Sequence, residues 1–293
     1  MHTRRSAVGA LVATAACVGA LATGTPTTAA AAGDPVLVGA GDIATSGSGD
    51  SATAELLDHI AGTVFTAGDN VNLDGTTSQF NTYYAPTWGR HRARTRPAPG
   101  NHDYHVAGAA GYFGYFGSQA GPPSRGYYSY NLGNWHVVSL DSEISMTAGS
   151  PQERWLRSDL TANTKPCTLA YWHRPLFTSG NSHGPATSTR PLFQALYDHG
   201  AEVVVSGHNH EYERFAPMRP TGARDDARGI REFVAGTGGA GHNGFVTPKP
   251  NSQVRNGTTF GVLKFTLHNN SYDWKFVPVA GKTFTDSGTT ACH

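Results

Sequence analysis

"AEVVVSGHNHEYER" runs from Ala201 to Arg214. A β-branched apolar run, Val203 to Val205, gives way to Ser206 and then to two histidines, His208 and His210, with one asparagine between them. Such a run reads as a buried strand. Side chains alternate along a strand, so if the extended backbone persists past Ser206, His208 and His210 face the same way. Two imidazoles aimed at one point can hold a metal ion. The plainer reading is a pair of loop histidines, each hydrogen-bonded and nothing more. A metal requires further ligands from elsewhere in the chain.

Other short apolar runs also end in polar chemistry. "PVLVGAGD" stops at Asp42, "TVFTAGDN" at Asp69, "TRPAPGNHD" at Asn101 and His102, and "CTLAYWHRP" at His173. Helical patterns lie between them. Leu56, Leu57 and Ile60 form one apolar face, and Phe80, Tyr83, Tyr84 and Trp88 another. "SPQERWL" offers Ser150 as N-cap, Pro151 in the first turn and Glu153 three residues after the cap. "RPLFQALYDHG" carries Leu192, Phe193 and Leu196, with Gly200 to close it. Strands thus alternate with helices to about residue 205. "FGVLKFTLH" and "SYDWKFVPV" then read as antiparallel strands joined at "NNS". In an open α/β sheet, ligands gather beyond the carboxyl ends of the strands.

Composition narrows the function. The chain has 293 residues and a formal net charge of +1, without a long basic run, so no nucleic-acid surface is expected. Residues 1–32 read as an export signal. Arg4 and Arg5 precede the apolar "AVGALVATAACVGALA", and "TTAAAAG" offers small residues for cleavage. "TRRSAV" resembles a twin-arginine signal, with Ala7 where a large apolar residue is usual. Cys17 reads as filler of the apolar core. The expected arrangement is a signal over 1–32 and a single domain over 33–293, secreted and without a membrane anchor once the signal is removed. The mature part keeps Cys167 and Cys292, and outside the cytosol such a pair is expected as a disulfide.

The strand-end groups Asp42, Asp69, Asn101, His102, His173, His208 and His210 combine oxygen with imidazole nitrogen, a set that suits Zn, Fe or Mn. They are too many for one tetrahedral ion, and two ions sharing a carboxylate fit better. In order, the motifs GD, GDN, GNHD, W-H and GHNH resemble the calcineurin-like metallophosphoesterases, and "GHNHEYER" with "GDN" narrows this to the purple acid phosphatase-like branch. The resemblance covers about residues 35–280. It implies an α/β fold, a four-layer αββα sandwich of two mixed β-sheets flanked by helices. It also implies two metal ions, with Asp69 as the bridging carboxylate. Asn101, His173 and His208 resemble the ligands of one ion, Asp42 and His210 those of the other.

The resemblance extends to catalytic groups. His102 resembles the family's non-ligand histidine, which contacts phosphate or assists proton transfer, and Asp103 is expected to orient it or else to cap a loop. His183 lies near the offset at which relatives face the leaving group. Arg174 stands where many relatives have a histidine, and it is expected to pair with phosphate or with a surface carboxylate. His105 and His242 are expected in loops bordering the cleft, and His136 in a structural role. The pattern breaks where purple acid phosphatases carry an iron-binding tyrosine, which here is Asn72. Ala44 likewise replaces the histidine that other superfamily members use. The reading is a secreted phosphatase acting on a small phosphate ester through a metal-bound hydroxide. The alternatives are a phosphodiesterase acting on nucleotides or phospholipid headgroups, and a non-catalytic metal-dependent binding protein.

Overall fold

Both faces of the central strands are apolar, and this decides the layering. In the computed structural model, which describes residues 1–3 and 33–293, Asp34–His293 forms one unit and Met1–Gly33 another. The export signal expected over residues 1–32, with Cys17, lies outside the described residues apart from the first three.

The strands, in chain order, are β1 (Val36–Ala40), β2 (Thr63–Ala67), β3 (Thr95–Ala98), β4 (Tyr128–Leu132), β5 (Trp135–Ser139), β6 (Cys167–Tyr171) and β7 (Val203–Ser206). They continue with β8 (Tyr212–Met218), β9 (Ile230–Ala235), β10 (Ser252–Asn256), β11 (Gly261–Leu267), β12 (Ser271–Pro278) and β13 (Ser287–Ala291). One sheet has the order β13-β12-β11-β1-β2-β3 and the other β10-β8-β9-β7-β6-β5-β4. Both are mixed. β1, β2 and β3 run parallel, and β11 returns antiparallel against β1. In the second sheet β5, β6, β7 and β9 are parallel, with β4 and β8 antiparallel to their neighbours.

Alternation along each strand fills two layers at once. Leu37, Phe65, Leu169, Val203 and Val205 meet between the sheets. Their neighbours Val38 and Val64 pack outward, with Leu57 of the helix Gly49–His59 and with Phe80, Tyr84 and Trp88. On the far side Ala170 and Val204 pack outward against Leu156 of the helix Pro151–Ala162 and Leu192, Phe193 and Leu196 of the helix Arg190–Asp198. The result is the αββα sandwich expected from the sequence.

Local signals hold in most places. The Ser150 side chain accepts from the Glu153 amide at 3.3 Å, and Glu153 returns a bond to the Gly149 amide at 2.9 Å. Caps of this kind contribute about 1 kcal/mol. The strands β11 and β12 pair antiparallel along their length. The segment Phe80 to Trp88 differs from its reading as one helical face. Phe80–Tyr84 is a π-helical turn, closed by the Ala85 amide on the Phe80 carbonyl at 2.8 Å, and Trp88–Arg94 is a 3-10 helix. Pro86 stands between them, and a proline cannot donate to or fit inside a continuous helix. Phe80, Tyr84 and Trp88 are core residues, as the sequence suggested.

A disulfide joins Cys167, at the start of β6, to Cys292, just past β13, and so ties the two sheets together. Among the described residues, no helix is long and apolar enough to cross a membrane.

Candidate metal centre

Each of five strand ends delivers its polar residue to one rim: Asp42 after β1, Asp69 after β2, Asn101 after β3, His173 after β6, and His208 with His210 after β7. The chain reaches this rim by tight turns. Asp42, Asp69 and His208 have φ of 58°, 48° and 71°, the left-handed region that side chains other than glycine seldom adopt. Such backbone costs about 1–3 kcal/mol per residue and clusters at functional sites. Two motif glycines are required by close approach. A Cβ on Gly207 would lie 2.6 Å from an Asp42 oxygen, and one on Gly68 2.5 Å from the His173 ring.

The extended-strand reading of His208 and His210 is therefore corrected. β7 ends at Ser206, and the backbone then folds through two successive turns, the Asn209 amide on the Gly207 carbonyl at 2.9 Å and the Glu211 amide on the Asn209 carbonyl at 2.7 Å. Both rings still reach the centre, on different sides. His208 Nδ1 lies 3.1 Å from His173 Nε2, and His210 Nε2 lies 3.4 Å from Asp42 Oδ1.

Each carboxylate has one oxygen fixed by backbone and the other turned inward. Asp42 Oδ2 accepts from the His208 amide at 2.8 Å, and Asp69 Oδ1 from the His102 amide at 2.8 Å. The inward oxygen of Asp69 lies 3.2 Å from His173 Nε2, and ligand atoms of Asp42, Asp69 and His173 all lie within 4.8 Å of one another. His173 Nδ1 donates to the Ala67 carbonyl at 2.9 Å, which leaves the lone pair of the neutral ring on Nε2. That nitrogen faces Asp69 Oδ2, Asn101 Oδ1 at 3.1 Å and His208 Nδ1.

Four potential acceptors turned on one point repel unless a proton or a cation lies among them. Burial opposes charge on His173, but the Asp69 carboxylate outweighs it and pushes the imidazole up to about 10. Burial likewise works against ionised Asp69, yet the His173 ring holds its carboxyl below the ordinary range. His208 is pushed far down by burial and by the His173 charge. A donor set of two carboxylates, a carboxamide oxygen and three imidazoles fits borderline metal ions. Among the described residues Cys167, Glu202 and Cys292 form another donor cluster, but its two sulfurs are bonded to each other.

Asn72 enters because its amide donates to the Ala44 carbonyl at 2.8 Å, which ladders its loop against the one after Asp42. Its Nδ2 sits 3.0 Å from Asp69 Oδ2 and 3.4 Å from Asp42 Oδ1. Ala44 is buried and offers no ligand.

The remaining candidates divide. His102 Nδ1 lies 2.5 Å from the Leu73 carbonyl, which turns Nε2 toward Asp69 Oδ2 at 3.8 Å. Asp103 does not orient it, contrary to one of its two expected roles. The Asp103 carboxylate is buried and accepts from the Gly100 amide at 3.0 Å, the Asn70 side chain at 3.0 Å and the Asn70 amide at 3.2 Å. It ties the β2 and β3 loops together, because two backbone amides and a carboxamide outcompete a ring held elsewhere. Burial, with the nearby Asp69, raises it to about 7.

His183 stacks on His208, ring centroids 4.0 Å apart, and burial lowers its pKa. Arg174 pairs with Glu143, whose side chain is 8% exposed, so the ion pair is not the surface one anticipated. Its Nη1 remains beside the site, 3.3 Å from His208 Nε2. A cavity of about 600 Å³ opens here, walled by Ser142, Arg174, Ser182, His183, Thr187 and His208. His105 lies against His102, ring centroids 4.6 Å apart, and His242 stacks on Phe260. His136 bonds Asp159 and Asn131, a structural arrangement.

Several supporting residues escaped the sequence reading. Asn209, between the two histidines, binds the His183 backbone at both ends, accepting from its amide and donating to its carbonyl at 3.1 Å each. Glu211 and Glu213, the acids of "HEYER", are buried and accept from Thr178 and Ser179, and Glu232 accepts from the amides of Leu176 and Phe177. Together they hold the loop that carries His183. Short polar residues at fixed offsets from the histidines were the available signal.

The calcineurin-like phosphoesterase family profile matches residues 29–212. A stretch of 102 residues is 32% identical to purple acid phosphatase 15 of Arabidopsis thaliana, covering 33% of this chain and 19% of that protein. Another of 204 residues is 29% identical to an uncharacterised protein of Mycobacterium tuberculosis, covering 55% and 38%. The chain thus spans about a fifth of the length of the first and two fifths of the second. Among solved structures, a purple acid phosphatase from yellow lupin seeds superposes with a TM-score of 0.73 at 20% identity, over 88% of this chain and 53% of that one, a likeness of fold.

Proposed function

The chain belongs to the calcineurin-like phosphoesterase family, and from that premise we propose that it is a secreted, dinuclear metal-dependent hydrolase of phosphate monoesters. The observation that carries the proposal is the convergence of Asp69, Asn101 and His208 on Nε2 of His173. In this reading Asn101, His173 and His208 would hold one ion and Asp42 and His210 the other, with the Asp69 carboxylate available to both. Such ions supply Lewis-acid polarisation of the ester and a lowered pKa for water. The metals are Mn, Zn or Fe. The disulfide supports export, since such bonds persist in oxidising compartments.

The protein's own groups do the rest. His102, with Nδ1 engaged by Leu73, keeps Nε2 available to hold a proton toward the ester. His183, stacked beside the cavity, takes the leaving-group side, and Arg174 supplies positive charge to the phosphate oxygens. His102→Ala should keep both metals and lose about 10²–10⁴ in rate, the range for a positioned proton donor. Metal analysis beside the rate checks this, because a parallel fall in metal content would make His102 a ligand.

Asn72 favours labile divalent ions over a ferric centre, since a neutral carboxamide is a weaker partner than a phenolate. Protein made with iron present should be colourless. Its hydrolysis of a phosphate monoester should be lost on brief chelation and return with Mn²⁺. A strong visible charge-transfer band would overturn this view of the Asp42 side. The same assay, run with a diester and with Zn²⁺, tests the function itself. Diester preference would favour a phosphodiesterase. Metal binding without turnover of any ester would favour the binding protein that Ala44 and Asn72 also suit.

A further inference from the structure

Arg174 is held more tightly than an exposed ion pair requires. Its Nε lies 2.9 Å from both Glu143 oxygens and its Nη2 2.8 Å from Oε2. Its amide donates to Ser142 Oγ at 3.1 Å, and its carbonyl accepts from the Trp172 indole at 2.7 Å. Glu143 is fixed in turn. Ser142 Oγ donates to its Oε1 at 2.9 Å, and its amide donates to Asp141 Oδ1 at 2.8 Å. Asp141 is anchored by Gln152, which bonds its amide and its carbonyl at 2.8 Å each, and by the Tyr104 hydroxyl at 2.6 Å. A chain of bonds thus runs from the helix Pro151–Ala162 to the guanidinium.

This clamp occupies Nε and Nη2 and leaves Nη1 at the cavity, beside His208 Nε2. A neutral imidazole that gives its Nδ1 lone pair to a cation keeps its proton on Nε2 and can accept nothing from Arg174. Nη1 then has no partner in His208 and is free for an anion. A guanidinium aimed in advance loses less freedom on binding than a mobile one.

We infer that Glu143 is a positioning residue, which fixes the Arg174 fork so that Nη1 points at a phosphoryl oxygen in the cavity. The inference rests on the phosphoesterase reading of the site, and it concerns the aim of Arg174 rather than its charge alone. Arginine and lysine are not equivalent in such a role, because lysine carries no fork for the carboxylate to orient.

The test is calorimetric titration of the Mn²⁺-loaded protein with inorganic phosphate, with metal content and melting temperature measured alongside. Glu143→Gln removes the charge and keeps the shape. It should weaken phosphate binding about tenfold or more, the scale of one charge-assisted hydrogen bond, at unchanged metal content. Arg174→Ala should do the same, and the double variant should bind no more weakly than Arg174→Ala, as expected for two members of one unit. Arg174→Lys, which leaves Glu143 beside a cation, should also lose about tenfold. Wild-type affinity in Glu143→Gln or in Arg174→Lys, or additive losses in the double variant, would overturn the inference. If the wild type hydrolyses no ester yet Glu143→Gln still weakens phosphate binding, the proposed function fails and the positioning role stands.

Discussion

His208→Ala should leave a protein that no longer hydrolyses phosphate esters at limiting metal and that retains less metal after gel filtration. The expectation follows from what the ring touches. Its Nδ1 meets His173 Nε2 at 3.1 Å, and its face carries His183. Removing it takes away one donor of the cluster around His173 and the surface on which His183 rests. The fall in rate should reach at least about 10²–10³-fold, the loss seen when one preorganised charge-stabilising group is removed. Plasma mass spectrometry for metal and a monoester assay at stoichiometric Mn²⁺ are the two measurements. Full activity at limiting metal would remove His208 from the ligand set. The fold should survive, because the turn depends on Gly207 and on the His208 amide, which the substitution keeps.

Loss of the Cys167–Cys292 bond should be the largest change in stability. The bond closes a separation of 125 residues. The chain-entropy model assigns such a loop about 4–5 kcal/mol, as an upper bound. For a domain of this size that corresponds to a fall of roughly 10 °C in melting temperature. Replacing both cysteines by alanine should give this shift while activity at room temperature persists, since Cys167 stands at the opposite end of β6 from His173. Thermal unfolding of the double variant, with thiol titration of the wild type, checks the point. An unchanged melting temperature would mean that the pairing of β13 with β12 already secures the C-terminus.

The strand ends were legible because each motif follows a run whose apolar alternation is unmistakable. Val203, Val204 and Val205 could hardly be anything but a buried strand, and the same holds for β1, β2 and β6. The turns after them were less legible. His208 and His210 share a site through a left-handed residue and two tight turns, and two-residue spacing alone cannot distinguish that path from an extended one. The choice between the two roles expected of Asp103 was not legible, because two of its partners, the amides of Asn70 and Gly100, are backbone groups with no signature in sequence. Glu143 was invisible for a related reason: it meets Arg174 across 31 residues of chain and two separate loops. The strands β10 and β13 were missed because "SQVRN" and "SGTTA" form polar sheet edges with little to bury.

The place of β11 beside β1 has a consequence for how the chain comes into being. Every candidate ligand has been synthesised by His210, yet β1 then has a neighbour on one side alone. Its other partner begins at Gly261, after the whole second sheet has been made. Closing so long a loop is slow, and pairings distant in sequence are the slow step in folding generally. Until then the emerging polypeptide carries an open strand edge, the feature that invites association with other chains. The chemistry is thus encoded well before the nascent chain can fold around it, and a product stopped near residue 212, where the family match ends, would hold a full donor set across two sheets that each lack three strands.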